Sequence, residues 1–272
     1  MPSRPVLCLV QNGSRGYNTH SAVMPLPSLF HMSETIRLTK RLAEQIGCSR
    51  GEADQYIEGG WVQVDGKVVE EPGYRVLPEQ LVELLPQASL APVAPVTILL
   101  NNPAGLATET ELLAAIEGIS PQTQWADDRS NLHFLKRHLA ELRPTEPLDV
   151  HAGGLMVYSQ DWRIVRKLVA DRVRIEQEYI VEVSGEIVPD GLALLNHGLT
   201  FNGKPLAPTK VSWQNEKRLR FAMKAPHRGQ IAHMCEKVGL TVLASKRIRL
   251  GRIPLAALPA GQWRYLMEYE QF

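Results

Sequence analysis

The sequence predicts an α+β protein: a small N-terminal domain of helices and a hairpin, then a larger domain built mainly on an antiparallel sheet. Three observations carry this. Leu38, Leu42 and Ile46 recur at helical spacing and run into Ser49-Arg50-Gly51-Glu52, the pattern of a helix-capping box. Pro86, Pro92 and Pro95 lie among small residues and read as a semi-rigid linker. Beyond that linker, β-prone runs outnumber helical ones and do not alternate with them regularly, which disfavours a parallel strand–helix–strand arrangement. A chain of 272 residues is long enough for two modest cores.

Residues 1–31 are rich in Pro, Ser, Gly and Asn and hold no lasting period, so they read as a disordered N-terminal extension. Val6 to Val10 is too short for the apolar core of a signal peptide, and Met32 is a second candidate start. In the first domain, placed at residues 33–85, Gly47 should stop the first helix. Ala53, Tyr56 and Ile57 should form the buried face of the second, which Gly59-Gly60 ends. Asp65-Gly66 between Trp61–Val64 and Lys67–Val69 is the signature of a tight hairpin, and Val82–Leu84 should add a strand. The linker spans 86–95.

In the second domain, 96–272, Thr97–Leu100 reads as a strand ending in an Asn101–Gly105 turn, and His133–Leu142 as a helix closed by Arg143-Pro144. Leu155–Tyr158 reads as a buried strand. Ser159 should cap a helix whose apolar face is Trp162, Val165, Leu168 and Val169. Glu178–Val183 and Arg218–Met223 alternate as strands, and Gln230–Val238 is helical with Gly239 as its stop. Leu240–Leu243, Ile248–Gly251 and Gly261–Leu266 complete the sheet.

Composition narrows the function classes. Hydrophobic and charged contents of 44% and 22% are those of an ordinary globular chain, and no apolar run is long enough for a membrane span. Cys8, Cys48 and Cys235 are odd in number and widely spaced, which points to a reducing, cytoplasmic setting and away from a zinc site. His133, His138 and His151 offer no completed ligand set, so no metal is expected. Net charge is only +1, but the cations cluster: Arg37, Lys40, Arg41 and Arg50 near the start, and Lys246, Arg247, Arg249 and Arg252 near the end.

The run from Arg37-Leu38-Thr39-Lys40 through Cys48-Ser49-Arg50 to Gly66-Lys67 resembles the alpha-L RNA-binding motif, a module shared with a small-subunit ribosomal protein. That resemblance implies that Arg37, Lys40, Arg41, Ser49 and Arg50 contact RNA, largely through phosphates and shape. Further on, Leu148-Asp149 leads into Gly153-Gly154-Leu155, followed by Glu178-Tyr179-Ile180-Val181 and Gln230-Ile231 with Met234-Cys235. Lys246-Arg247 and Trp263-Arg264 close the series. In that order these segments resemble the RsuA/RluB/E/F branch of RNA pseudouridine synthases, nearest to its dual-specificity large-subunit members.

The resemblance implies an isomerase in which Asp149 is the nucleophile and Tyr179 the active-site tyrosine. Gln230 and Ile231 then lie on the active-site helix, and Lys246 and Arg247 contact RNA. The reaction breaks the bond from sugar to base, turns the uracil and rejoins it through carbon, so it calls for no cofactor. The implied partner of a monomeric chain is ribosomal RNA of the large subunit, with transfer RNA as a second candidate. Several positions depart from the family pattern: Pro147, Ala152, Asn102, and above all Ala232 and His233, where the family has the arginine that pairs with the aspartate and a further basic residue. Losing the partner of a buried charge costs roughly 3–5 kcal/mol. Hence the alternative reading, a catalytically impaired RNA-binding or ribosome-assembly protein on the same fold. Arg228 and His151 are the nearby residues able to restore positive charge.

Overall fold

The first two helices begin and end where their local chemistry dictates. In the computed structural model, which describes residues 34–104, 108–145, 148–149 and 152–272, a short strand β1 (Ile36–Arg37) leads into α1 (Leu38–Ile46). Gly47 closes α1 in the left-handed region at φ 71°. Ser49 caps α2 (Arg50–Glu58): its hydroxyl accepts from the Glu52 amide at 3.2 Å while Glu52 accepts from the Ser49 amide at 2.8 Å. Asp65 and Gly66, both at positive φ, turn β2 (Val62–Val64) into β3 (Lys67–Val68). Then come β4 (Arg75–Val76), paired with β1, and β5 (Val82–Leu84), paired with β2. Leu38, Leu42, Ala53, Ile57, Val62, Val64, Val76 and Val82 form one core. Ile46, expected on the buried face, is 37% exposed because α1 ends there.

The remaining elements include one nine-stranded sheet and a separate two-stranded hairpin. They are β6 (Thr97–Asn102), α3 (Glu109–Glu117), β7 (Arg143–Pro144), β8 (Ala152–Ser159), α4 (Trp162–Val169) and β9 (Glu176–Gly185). Next are α5 (Gly191–Asn196), a hairpin of β10 (Thr200–Phe201) and β11 (Lys204–Pro205), β12 (Lys210–Asn215) and β13 (Arg218–Lys224). Last are α6 (Gln230–Lys237), β14 (Leu240–Leu250), β15 (Ile253–Pro254) and β16 (Trp263–Tyr265). The main order is β12-β13-β9-β14-β8-β6-β16, with β15 on β14 and β7 on β8. Among these pairs only β14–β8 is parallel, so the expected mainly antiparallel α+β fold is borne out. Residues 35–272 form one compact unit.

The two halves of the sheet differ in burial. Around β6 and β8 both faces are covered, one by the cluster holding Ile98, Met156, Tyr158 and Trp263, the other by Leu99, Leu155, Val157 and Leu168. Eight consecutive buried residues in β8 follow from this. Around β9 and β13, α5 and α6 cover one face with Tyr179, Val181, Leu219, Phe221, Ile231 and Met234. The opposite face carries Glu176, Glu178 and Glu182 paired with Arg249, Arg220 and Arg218. Opposing charges across antiparallel neighbours stabilise that open face.

Several elements differ from the sequence expectation. His133–Leu142 is no helix: only Lys136–Leu139 makes a 3₁₀ turn, because His138 turns inward, 4% exposed, to accept from the Tyr265 hydroxyl at 2.7 Å. The cap of α4 is Asp161, accepting from the Arg163 amide at 2.8 Å, and Ser159 Oγ instead accepts from the Asp161 amide. Trp162 and Val169 are 64% and 49% exposed, so the buried side of α4 is Leu168 with Ile164 packed beside the same cluster. Leu240–Leu250 is a single strand with two irregularities in its pairing with β9. The expected extension at 1–31, with Cys8, lies outside the described residues, as do Gly105, Pro147 and His151.

Candidate active site

A pair of glycines sets the site's backbone. Gly153 and Gly154 open β8 where it runs parallel to β14. Gly154 has φ +101°, and a Cβ there would lie 2.3 Å from the Arg247 carbonyl oxygen and 2.8 Å from the Arg247 amide nitrogen. At Gly153 a Cβ would lie 3.0 Å from both the Ala104 nitrogen and the Asn102 oxygen. Two backbones therefore close on this loop from opposite sides, and only hydrogen fits at Gly154.

That entry places Asp149 just ahead of β8. The Asp149 carbonyl accepts from the Ala152 amide at 2.9 Å, and its carboxylate Oδ2 accepts from the Gly229 amide at 2.9 Å. Gly229, at φ +75°, is the residue that caps α6. The half-buried carboxylate thus sits at the positive end of a helix, where an anion is stabilised by about 0.3–1 kcal/mol, up to ~2 when partly buried. Leu148, Asp149, Arg172, Tyr179, Pro226, His227, Arg228 and Ile231 line one cleft of about 100 Å³. Small-molecule pockets commonly run to roughly 300–1,000 Å³, so this one suits a single small ring rather than a whole nucleotide.

Tyr179 reaches the cleft from the middle of β9. It is 3% exposed, and its hydroxyl donates to Gln177 Oε1 at 2.6 Å. The same oxygen accepts from Arg247 Nη1 at 3.2 Å, and Arg247 Nε donates to the Leu155 carbonyl at 2.8 Å. Gln177 and Arg247 are both fully buried. Arg247 stands directly across the ladder from Tyr179 and also beside Gly154, so it links β8, β9 and the tyrosine from beneath the cleft.

The sequence-selected residues therefore separate into groups. Asp149, Tyr179 and Ile231 line one cleft. Gln230 does not line it; its Oε1 accepts from the His227 amide at 2.9 Å, fixing the turn that carries His227, Arg228 and Gly229. Arg247 is corrected: with no exposure it cannot meet an external phosphate, because adjacent strand residues face opposite sides and Lys246 takes the outer one. Arg249 is paired with Glu176 and Glu178, so the four cations near the end do not form one patch. In the small domain Arg37, Lys40, Ser49 and Arg50 are exposed and Arg41 is half-buried; the Ser49 hydroxyl is already engaged as the α2 cap. Ala232 is exposed and is not among the residues lining the cleft. Arg172 was not singled out from sequence; its only signal is a place in the Arg172-Val173-Arg174 turn just ahead of the tyrosine strand.

Burial shifts other groups near the site. Burial lowers His138 to about 4, with His133 adding to the effect, so its imidazole is neutral. Burial raises the Tyr158 hydroxyl well above its ordinary range against a smaller opposing pull from Arg247, and raises the Cys235 thiol to about 12. Neither is an ionised nucleophile at neutral pH. No cluster of His, Cys, Asp and Glu with metal-binding geometry occurs among the described residues. No helix among them is long and apolar enough to cross a membrane.

Residues 36–82 match the S4 domain family. Over 248 residues the chain is 29% identical to the dual-specificity RNA pseudouridine synthase RluF of Escherichia coli, covering 87% of this chain and 77% of that protein. It is 28% identical over 241 residues to an uncharacterized RNA pseudouridine synthase of Aquifex aeolicus, covering 86% and 94%. It is 27% identical over 239 residues to ribosomal small subunit pseudouridine synthase A of Salmonella typhimurium, covering 86% and 98%. A crystal structure of a pseudouridylate synthase superposes with a TM-score of 0.52 at 18% identity, covering 86% of this chain and 96% of that one. The resemblance read from the motif residues is borne out along most of the chain, and the architecture is an S4 domain followed by the fold of that synthase.

Proposed function

We propose that this chain is an RNA pseudouridine synthase that isomerises a uridine of large-subunit ribosomal RNA, with transfer RNA as a second substrate, acting as a monomer in the cytoplasm. In this reading residues 33–85 bind RNA, 86–95 link, and 96–272 catalyse. The observation that carries it is the convergence of Asp149, from the segment ahead of β8, and Tyr179, from β9, on one small cleft also lined by Arg172 and Arg228. The named relatives support the same chemistry.

The residues divide the work as follows. The target nucleotide leaves the stack and its base enters the cleft. The Asp149 carboxylate attacks the sugar C1′ as the bond to uracil N1 breaks, and the base keeps the electron pair. Uracil turns beside the Tyr179 ring, whose hydroxyl is engaged by Gln177 and whose position is therefore fixed. Carbon C5 then bonds to C1′, the carboxylate departs, and a proton leaves C5 while N1 gains one. Arg172, Arg228 and the Gly229 amide balance the carboxylate before attack and after release. The alternative, a non-catalytic RNA-binding or assembly protein, rests on Ala232. It is weakened because two other arginines line the cleft that Ala232 does not.

The test is to delete the gene, map pseudouridine in ribosomal and transfer RNA, and complement with wild type and Asp149→Asn. Wild type should restore a missing site and Asp149→Asn should not, while both bind RNA alike. Modification that survives Asp149→Asn overturns the assignment.

A further inference from the structure

Trp162 is 64% exposed at the first turn of α4, with the Arg163 guanidinium 6.0 Å from its ring centroid. It opens onto a groove of about 630 Å³ whose lining includes Arg163, Arg166, Lys167, Arg174 and Arg252. All five are exposed, and among the described residues none is in an ion pair. The acidic lining residues are Asp171 and Glu176, and Glu176 is already held by Arg249. A solvated helix face ordinarily mixes signs or pairs its charges. Here α4, the 3₁₀ turn Arg172–Arg174 and the β14–β15 turn direct unpaired cations of one sign to a common groove.

The groove adjoins the candidate active site. Arg172 and Arg174 belong to the same 3₁₀ turn, where two residues advance only about 4 Å along the axis. Arg172 lines the Asp149 cleft, and Arg174 lines the groove. A strand whose flipped nucleotide entered the cleft would find cationic residues along its next phosphates and an exposed indole for an unpaired base.

On the reading that the cleft takes an RNA nucleotide, we propose that the α4 groove is a second RNA-binding site, separate from the small domain. It takes the single-stranded flank of the target, with Arg163, Arg166, Lys167, Arg174 and Arg252 on phosphates and Trp162 stacked on a base. Phosphate neutralisation and stacking leave different marks. Removing one cation that neutralises a phosphate flattens the slope of log affinity against log salt by about 0.7 for a single strand, whereas removing a stacked ring releases no counterions and leaves the slope alone.

The experiment uses the full chain and a fluorescein-labelled RNA hairpin with a loop uridine and a single-stranded arm, titrated by anisotropy at several salt concentrations. The triple variant Arg163→Glu/Arg166→Glu/Lys167→Glu should weaken binding by at least about tenfold and flatten the slope by about 2. Trp162→Ala should weaken binding about fivefold or more with the slope unchanged. Thermal melts check folding, and Arg252→Glu, which lies off α4, repeats the slope test should the triple variant unfold. Unchanged affinity and slope in these variants overturn the proposal. So does a triple variant that loses only binding to phosphatidylglycerol vesicles, which would make the surface a membrane contact. Pseudouridine is assayed in the same samples. Groove-dependent binding without wild-type turnover on any RNA would remove the enzymatic reading and leave the groove standing; turnover with groove-independent binding would do the reverse.

Discussion

Replacing Gly154 by alanine should be among the most damaging single-methyl changes in the chain. The new Cβ would lie 2.3 Å from the Arg247 oxygen and 2.8 Å from its nitrogen, and both are backbone atoms of β14 that no rotamer change can move. Carbon–oxygen contact is comfortable at about 3.5 Å, so β14 must retreat by roughly an ångström. That retreat opens the parallel pairing of Ser245, Lys246 and Arg247 with Ala152, Gly153 and Gly154. Holding an L-residue at positive φ costs about 1–2 kcal/mol, and overpacking adds about 1–3. The expected loss is about 2–5 kcal/mol, a large part of the roughly 5–15 kcal/mol that holds a domain folded. Gly66→Ala is the matched control: it has φ +77° but nothing within 4 Å of the added carbon, so it reports the backbone cost alone. Urea unfolding of both variants gives the difference from the midpoints at constant slope. Should Gly154→Ala be no more destabilising than Gly66→Ala, the close approach of β8 and β14 is not what requires the glycine.

Three other outcomes follow from the same geometry. Alanine at Arg37, Lys40, Arg41 and Arg50 together should weaken RNA binding and flatten its salt slope by about 0.7–0.9 for each phosphate that those side chains neutralise, with the fold intact by circular dichroism. The double variant Arg172→Ala/Arg228→Ala should lose about a hundredfold or more in single-turnover rate while Ala232→Arg gains nothing; a rate that rises with Ala232→Arg would mean that the missing arginine limits the chemistry. His138 is lowered by burial from 6.5 to about 4, so the unfolded chain binds its proton first as pH falls. Stability should therefore drop by up to about 3 kcal/mol between those two values, and His138→Gln, measured by urea unfolding across that range, should remove this part of the pH dependence.

What was legible in the sequence is what local chemistry decides. The Ser49–Glu52 capping box, the Asp65-Gly66 turn and the apolar run of β8 formed where local rules place them. The same rules were available at Thr108 and Glu111, which cap α3 reciprocally, and at Asn202-Gly203, which turns the β10–β11 hairpin; both signals stand plainly in the sequence. The failures came where distant partners decide. Tyr265 draws His138 inward and leaves a 3₁₀ turn in place of a helix. Trp162 looks like core by composition, yet β8 is covered from that side by Leu168 and Ile164, and the indole is left outside. Arg247 looks like part of a basic surface run, and only the ladder to Tyr179 and Gly154 shows that it is interior.

On the proposed reading Ala232 stands where the resemblance implies an arginine, so the charge balance of the site has to come from elsewhere. A helix terminus supplies at most about 2 kcal/mol to a nearby anion, whereas removing the partner of a buried ion pair costs roughly 3–5. The Gly229 amide alone therefore falls short. Arg172 and Arg228 line the cleft from two different turns, one before β9 and one before α6. Because Asp149 is only half-buried, the deficit they must cover is smaller than that of a fully buried pair. Two cations on turns hold an anion less rigidly than one on a helix, but the turn that carries Arg172 also carries Arg174, which lines the neighbouring groove. On the proposed reading, the Arg172–Arg174 turn would couple carboxylate stabilisation to the surface on which the RNA flank is proposed to lie.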